Sequence, residues 1–270
     1  MLVADRRKQV LDLVRQQGFL SLADLARALD VSESTARRDL DYWHGRGLLK
    51  RIHGGAMSTE DGAALPALDA RAHTQMGEKR RIARAAAACV QDGDAIMLDG
   101  GTTTLELARL LVGRPLQVVT NSLPIANLFA NSRETDLVIL GGYVYPSTGV
   151  ALGPLTIAMM KEIHVQQAYL SVAGLTERGL FNSNPLLVET ERQMMRCADE
   201  VVVLADHTKV GRRALAFLCE VSAIDTLIVD SDLSPEHRDL LQHADVRLIL
   251  AGKAAGRADR NGVPSRRSNS

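Results

Sequence analysis

Aromatic residues are nearly missing from this chain: one Trp, four Tyr and four Phe make up 3% of 270 residues. Leu, Val, Ile and Ala must therefore fill the core that 46% hydrophobic residues allow. Cysteine is equally sparse. Cys89, Cys197 and Cys219 are odd in number, far apart and without C-x-x-C spacing, which argues against a disulfide framework or zinc site and fits a reducing compartment. No apolar run approaches the roughly 18 residues of a membrane span. The opening residues, MLVADRRKQV, lack the apolar core of a signal peptide. A soluble cytoplasmic protein with no membrane partner is expected. The histidines His73, His164 and His207 are scattered and read as structural or exposed, so neither a metal nor a cofactor is expected.

Net charge is also absent, since 32 Lys and Arg balance 32 Asp and Glu. The balance is uneven along the chain: +3 over residues 1–57, −7 over 58–250 and +4 over 251–270. Basic ends on an acidic middle suit a polyanion partner for the N-terminal part, not for the middle.

The first 57 residues read as a small helical module. Val10, Leu11 and Val14 repeat at helical spacing, and Gly18 ends that helix. Ser21 caps a second helix with Leu22, Leu25, Ala26 and Leu29 on its inner face. A tight turn, Asp30-Val31-Ser32, leads to a third helix capped by Ser32, in which Ala36, Leu40 and Trp43 point inward. Two short helices across such a turn make a helix-turn-helix, whose second helix enters the major groove of double-stranded DNA. Arg37 and Arg38 suit guanine edges or phosphates, and Ser32, Ser34 and Thr35 near the helix start suit phosphate. Leu48 to His53 reads as a strand leading into Gly54-Gly55. It forms a wing, with Lys50, Arg51 and His53 near phosphates and Gly54 allowing close backbone approach.

The stretch VSESTARRDLDYWHGRGLLKRIHGGA, residues 31–56, resembles the winged helix-turn-helix signature of the DeoR-type bacterial transcriptional repressors, close to VS-x-x-T-[IV]-RRDL…L…G-x-[IL]-x-R-x-HGGA. Ala36 departs, because the family usually has a β-branched apolar residue there.

After a linker at 58–76, a helix from Glu78 places Ile82, Ala86 and Cys89 on one face. Strand-to-helix units follow. Apolar runs begin at Ala95, Leu116, Leu137, Ala168, Val201 and Thr226, and each ends in polar or glycine residues. Such runs alternating with helices predict an α/β body with a mostly parallel sheet covered on both faces. Ligands bind at the carboxyl ends of such strands. Asp99-Gly100-Gly101-Thr102-Thr103-Thr104 is the leading candidate, because a glycine turn and hydroxyl-rich helix start offer donors to phosphate. Asn121, Ser122, Gly141 and Gly142 could add donors or close backbone approach, and Lys209 a positive charge. Asp99, Glu189 and Asp206 suit sugar hydroxyls. Residues 179–195 contain a loop, Phe181 to Pro185, beside the pocket. The sensor body is expected over 77–250, followed by a disordered basic tail at 251–270.

The body resembles the DeoR-type sensor domain through Glu78-Lys79, LDGGTTT at 98–104, VVTNS at 118–122, LGG at 140–142, Gly153 and LADHTKVG at 204–211. That resemblance implies a fold similar to ribose-5-phosphate isomerase and the CoA transferases, and a phosphorylated sugar as effector. The double glycine at 100–101 departs from the family's variable residue followed by Gly. The leading reading is a repressor of a carbohydrate operon, acting as a homodimer or homotetramer on paired half-sites and released by the sugar phosphate. The alternatives are a sugar-phosphate isomerase using Glu189 or Asp206 as base with Lys209, and a DNA architectural protein. The chain lacks the isomerase-type Asp-Gly-x-Asp-Glu run, and the pocket motifs and zero net charge argue against the architectural protein.

Overall fold

The computed structural model describes residues 3–17, 19–52, 55–58, 71–146, 148–242 and 246–252. The N-terminal module runs α1 (Val3–Gln17), β1 (Phe19–Ser21), α2 (Leu22–Leu29), α3 (Glu33–His44), β2 (Leu49–Ile52) and β3 (Gly55–Ser58). Ser21 and Ser32 cap α2 and α3, accepting from the N–H groups of Asp24 and Thr35. Asp30 takes the left-handed conformation at φ 51 and turns the chain between them. Val10, Val14, Leu25, Ala36 and Leu40 are fully buried where the three helices meet. The three strands form one antiparallel sheet in the order β1-β3-β2. The wing is therefore stapled at its base by Phe19 to Ser21, a three-residue strand too short to carry a pattern of its own.

The body begins with α4 (Met76–Ala87), β4 (Ala95–Leu98), α5 (Thr102–Leu111), β5 (Leu116–Thr120), α6 (Leu123–Phe129), β6 (Thr135–Ile139), β7 (Tyr143–Tyr145), β8 (Val150–Leu152) and α7 (Pro154–Met160). It continues with β9 (Val165–Ser171), β10 (Gly174–Thr176), β11 (Gly179–Asn182), α8 (Pro185–Arg196), β12 (Ala198–Ala205), β13 (Ala216–Cys219), β14 (Thr226–Asp230), α9 (Pro235–Gln242) and β15 (Arg247–Ala251). Seven strands make a parallel sheet in the order β15-β14-β12-β9-β4-β5-β6.

Alternation along the strands feeds two cores. Ile96, Leu98, Val202 and Leu204 pack on one face with α4, α5 and α6. Met97, Leu170, Val201 and Val203 pack on the other with α7, α8 and α9. Two antiparallel additions were not expected: the hairpin β7–β8 and the small sheet β10-β11-β13. The seventh strand, β15, was also not expected. Its last residue, Ala251, is buried and pairs with Asp230, where the sequence reading began the tail.

The order of the sheet decides where a site forms. From β4 the chain winds outward through β5 and β6; from β9 it winds the other way through β12, β14 and β15. The β4–β9 boundary is a topological switch point, and open parallel sheets bind ligands in the crevice at that point.

Candidate functional site

On the N-terminal module, the hydroxyls at the start of α3 cluster. Ser32 Oγ lies 2.9 Å from Ser34 Oγ and 3.0 Å from Thr35 Oγ1. Arg37 and Arg38 are exposed on the same helix, with Arg38 Nε donating to Ser34 O at 3.3 Å. The wing residues divide differently from the sequence reading. Arg51 Nη1 donates to Asp41 Oδ1 at 2.7 Å and to Arg37 O at 3.3 Å. Through Nη1 alone the side chain braces the wing against α3, a tie for which the sequence gives no sign beside the expected phosphate contact. Lys50 is exposed, but its Nζ lies 5.7 Å from the ring centre of Tyr143 in the body. His53 and Gly54 lie outside the described residues.

Two features of this module had no sequence signal. Asp39 is buried and takes Arg6 Nε at 2.6 Å and Arg7 Nε at 3.2 Å, tying α1 to α3. The Tyr42 ring is sandwiched between the guanidinium carbons of Arg7 and Arg46, at 3.7 and 3.6 Å.

In the body, Asp99 follows β4 directly and is the pivot of the crevice. Its Oδ1 accepts from Gly101 N at 2.9 Å and from the Thr104 hydroxyl; its Oδ2 accepts from Ser171 N at 2.7 Å and Ser171 Oγ at 2.8 Å. Four donors thus occupy the carboxylate, and β4 is tied to the end of β9 across the switch point. Burial raises the Asp99 pKa while these bonds oppose the shift. Asp99 is expected from its sequence position to meet sugar hydroxyls, but its acceptors are already filled by these four donors. The double glycine has a packing cause. A Cβ on Gly100 would lie 2.0 Å from Val150 Cγ2, and one on Gly101 1.7 Å from Ser171 Oγ.

Beyond this turn lies a cavity of about 550 Å3. Of the expected residues it gathers Asp99, Gly101, Thr102, Thr103, Asp206 and Lys209. Helix α5 starts at its edge with no side-chain cap on Gly101, so first-turn N–H groups are left for a ligand. Asp206 Oδ1 accepts from the Thr208 N–H and hydroxyl, and so shapes the short turn that presents Lys209. The cavity also takes residues that the sequence does not single out as ligand contacts, together with Asn182 and Ser183 of the loop expected beside it. Arg71, Thr74 and Gln75 come from the stretch read as linker. Lys79 Nζ holds that stretch by donating to Arg71 O at 2.5 Å and Thr74 O at 2.6 Å. Burial lowers the Lys79 pKa, opposed by the attraction of Asp206; burial likewise lowers that of Arg71, opposed by Asp99. Arg212, Arg213, Ser171, Asn182, Ser183, Thr148 and Glu191 complete the polar lining.

Six expected ligand residues lie elsewhere, each for a visible reason. Thr104 is buried and spends its hydroxyl proton on Asp99, with Gly101 O also within reach at 2.8 Å. Asn121 bonds Ala151 through side chain and backbone, and Ser122 caps α6. Gly141 O accepts from Thr156 Oγ1, and a Cβ on Gly142 would lie 2.1 Å from that same oxygen. The hairpin β7–β8 thus covers Asn121 and Ser122 at the end of β5, which are buried, whereas Gly141 and Gly142 at the end of β6 are exposed and lie outside the cavity. Glu189 is exposed and outside the cavity. On α8 it is Leu187 and Glu191, four residues apart, that line the cavity, and Glu189 falls between them on the other face. The isomerase alternative thereby loses one of its two candidate bases. Burial, and then the nearby Asp99, push the Glu191 pKa well above the ordinary carboxylate range. Among the described residues no cluster of His, Cys, Asp and Glu could hold a metal ion, and no helix is long and apolar enough to cross a membrane.

Comparison with known proteins agrees with both halves. The profile of the DeoR-like helix-turn-helix domain matches residues 6–61, and that of the DeoR C-terminal sensor domain matches residues 74–231. The uncharacterized HTH-type transcriptional regulator YulB of Bacillus subtilis is 30% identical over 249 residues, covering 92% of this chain and 96% of its own. The HTH-type transcriptional regulator UlaR of Shigella sonnei is 30% identical over 251 residues, covering 92% and 99%. Among solved structures, ribose 5-phosphate isomerase A from Methanocaldococcus jannaschii aligns with 51% of this chain and 55% of its own, at 22% identity and a TM-score of 0.38. The eIF2B beta subunit from Chaetomium thermophilum aligns with 56% and 48%, at 12% identity and a TM-score of 0.41. With one profile on the helix-turn-helix and the other spanning more than half of the chain, this protein belongs to the DeoR family of helix-turn-helix transcriptional regulators.

Proposed function

We propose that the chain represses a carbohydrate operon by binding double-stranded operator DNA and is released by a phosphorylated sugar held in the switch-point cavity. The observation that carries this reading is the meeting of an uncapped helix start at Gly101-Thr102-Thr103 with Lys79, Lys209 and Arg71 around one space. Free first-turn N–H groups, hydroxyls and several cations are the chemistry of a phosphate site. Ser32, Ser34, Thr35, Arg37 and Arg38 face the major groove and its phosphates, and Lys50 joins them when the wing is on DNA. A homodimer or homotetramer in the cytoplasm supplies the paired helices that repeated half-sites need.

The cavity wall supplies a route between the two events. Arg71, Thr74 and Gln75 line it and lie where the chain returns from the N-terminal module. A ligand drawing on Arg71 and Lys79 changes the hold on that stretch, and so the freedom of the module tethered to it. In this reading the DNA module ends near Ser58, a tether follows, and the sensor runs from Arg71 through Ala251. Thermal-shift screening of phosphorylated sugars tests it. A ligand at 100 times its Kd stabilises by about 2.7 kcal/mol, or roughly 5–10 °C for a body of this size, and Lys209→Ala removes most of that shift. No shift with any phosphorylated sugar would overturn the reading.

A further inference from the structure

Glu191 is the one cavity carboxylate among the described residues with an oxygen that is both buried and unsatisfied. Asp99 is saturated by four donors, and Asp206 bonds its own turn. Glu191 Oε1 accepts from Asn182 Nδ2 at 2.6 Å, while Oε2 is buried with no hydrogen-bond partner among the described residues. Two further lining residues share this condition: Thr148 Oγ1 and Ser183 Oγ are buried and unpartnered. Buried polar atoms are rarely left so, and three on the lining of one cavity mark groups that a ligand completes. No Lys or Arg among the described residues pairs with Glu191, although several cations line the same cavity.

We infer that Glu191 is the specificity-determining residue of the cavity, and that the phosphorylated ligand sets a neutral hydroxyl against Glu191 Oε2 and completes Thr148 and Ser183 on the same lining. This rests on the phosphate-site reading above and adds what another part of the ligand must be. The bonding pattern fixes the roles. Oε1 accepts from an amide, so in the acid form favoured by burial the proton sits on Oε2, which donates to the ligand oxygen. A site built around such a donor rejects an analogue lacking the oxygen, because the buried group is then left unpaired.

The test uses the full chain and a panel of probes measured by calorimetry at fixed salt: glucose 6-phosphate, ribose 5-phosphate, their single-deoxy analogues and glucosamine 6-phosphate. The wild type is expected to bind a hydroxylated sugar about tenfold or more tighter than one of its deoxy analogues. Glu191→Gln, neutral and of the same shape, keeps that selectivity within about threefold. Glu191→Leu, in a cavity that is also lined by Val150, Val172 and Leu187, reduces it to near unity. Selectivity unchanged in Glu191→Leu would overturn the assignment while leaving the phosphate site standing. Preferential binding of glucosamine 6-phosphate, lost in Glu191→Gln, would also overturn it and make Glu191 the ionised partner of an ammonium. No binding of any probe by the wild type, with Lys209→Ala equally silent, would overturn the phosphate site itself and this assignment with it.

Discussion

Replacing Asp99 by Asn removes a charge and almost no volume, yet the turn cannot accept it. Both carboxylate oxygens face a backbone donor: Gly101 N–H at 2.9 Å on one side and Ser171 N–H at 2.7 Å on the other. Whichever way the new amide lies, its NH2 group meets a backbone N–H. The Thr104 and Ser171 hydroxyls can rotate and become acceptors, but the N–H groups cannot. One charge-assisted bond of about 1.5–3 kcal/mol is lost outright, and the surviving one falls to about half its strength. Release from burying a charge, the burial that raises the Asp99 pKa, offsets part of this. The net cost is about 3 kcal/mol, or roughly 6–12 °C in the melting temperature of a body this size. Circular dichroism melting of Asp99→Asn beside wild type reads it directly. A variant melting within about 2 °C of wild type would refute the reasoning. Loss of ligand binding with the melting temperature intact would restore Asp99 as a ligand contact.

Three further outcomes follow from particular residues. Arg37→Ala with Arg38→Ala weakens binding to an operator duplex chosen by in vitro selection by at least about thirtyfold at matched salt, and leaves the melting temperature of the chain unchanged; equal affinity would refute the assignment of α3. Gly101→Ala forces Ser171 Oγ from its place 1.7 Å from the new Cβ and lowers stability by about 1–3 kcal/mol in urea unfolding, whereas Gly252→Ala, with open space around it, changes little. Glu191 has a folded-state pKa raised above its ordinary 4.5, so the unfolded chain ionises first and stability is lost as pH rises from 4.5 through the folded value. The stability difference between Glu191→Gln and wild type is then small at pH 4 and grows in the variant's favour toward pH 8; a difference that does not change with pH would refute it.

What could be read from the sequence was local. Ser21 and Ser32 cap helices within three residues of themselves, and the inner faces of α2 and α3 repeat at helical spacing, so the helix-turn-helix was legible residue by residue. Six sheet strands announced themselves as apolar runs with polar ends. β1, β7 and β10 are three residues long and carry no pattern, and β15 opens on Arg247, so these were missed. The cavity was half legible for the same reason. Asp99 to Thr103 sit beside one another, whereas Lys79, Arg71, Ser171 and Glu191 converge only through the sheet order. Asn121, Ser122, Gly141 and Gly142 do end strands, as expected, but nothing local shows that a hairpin buries the first two or that the glycines open away from the cavity. Glu189 against Glu191 turned on two residues of helical phase. Arg51 shows the reverse limit: its charge suggested a phosphate, and only the placement of Asp41 at 2.7 Å reveals a strut.

The central claim is that one small molecule in the switch-point cavity governs the grip on DNA. The most direct measurement is the affinity of the full chain for its selected operator duplex, at constant salt, with and without a saturating concentration of the phosphorylated sugar that stabilises it most. The expected result is a loss of affinity of about 5- to 150-fold, the usual range of coupling between two sites, and its absence in Lys209→Ala. Operator affinity unchanged by that sugar at saturation would contradict the account.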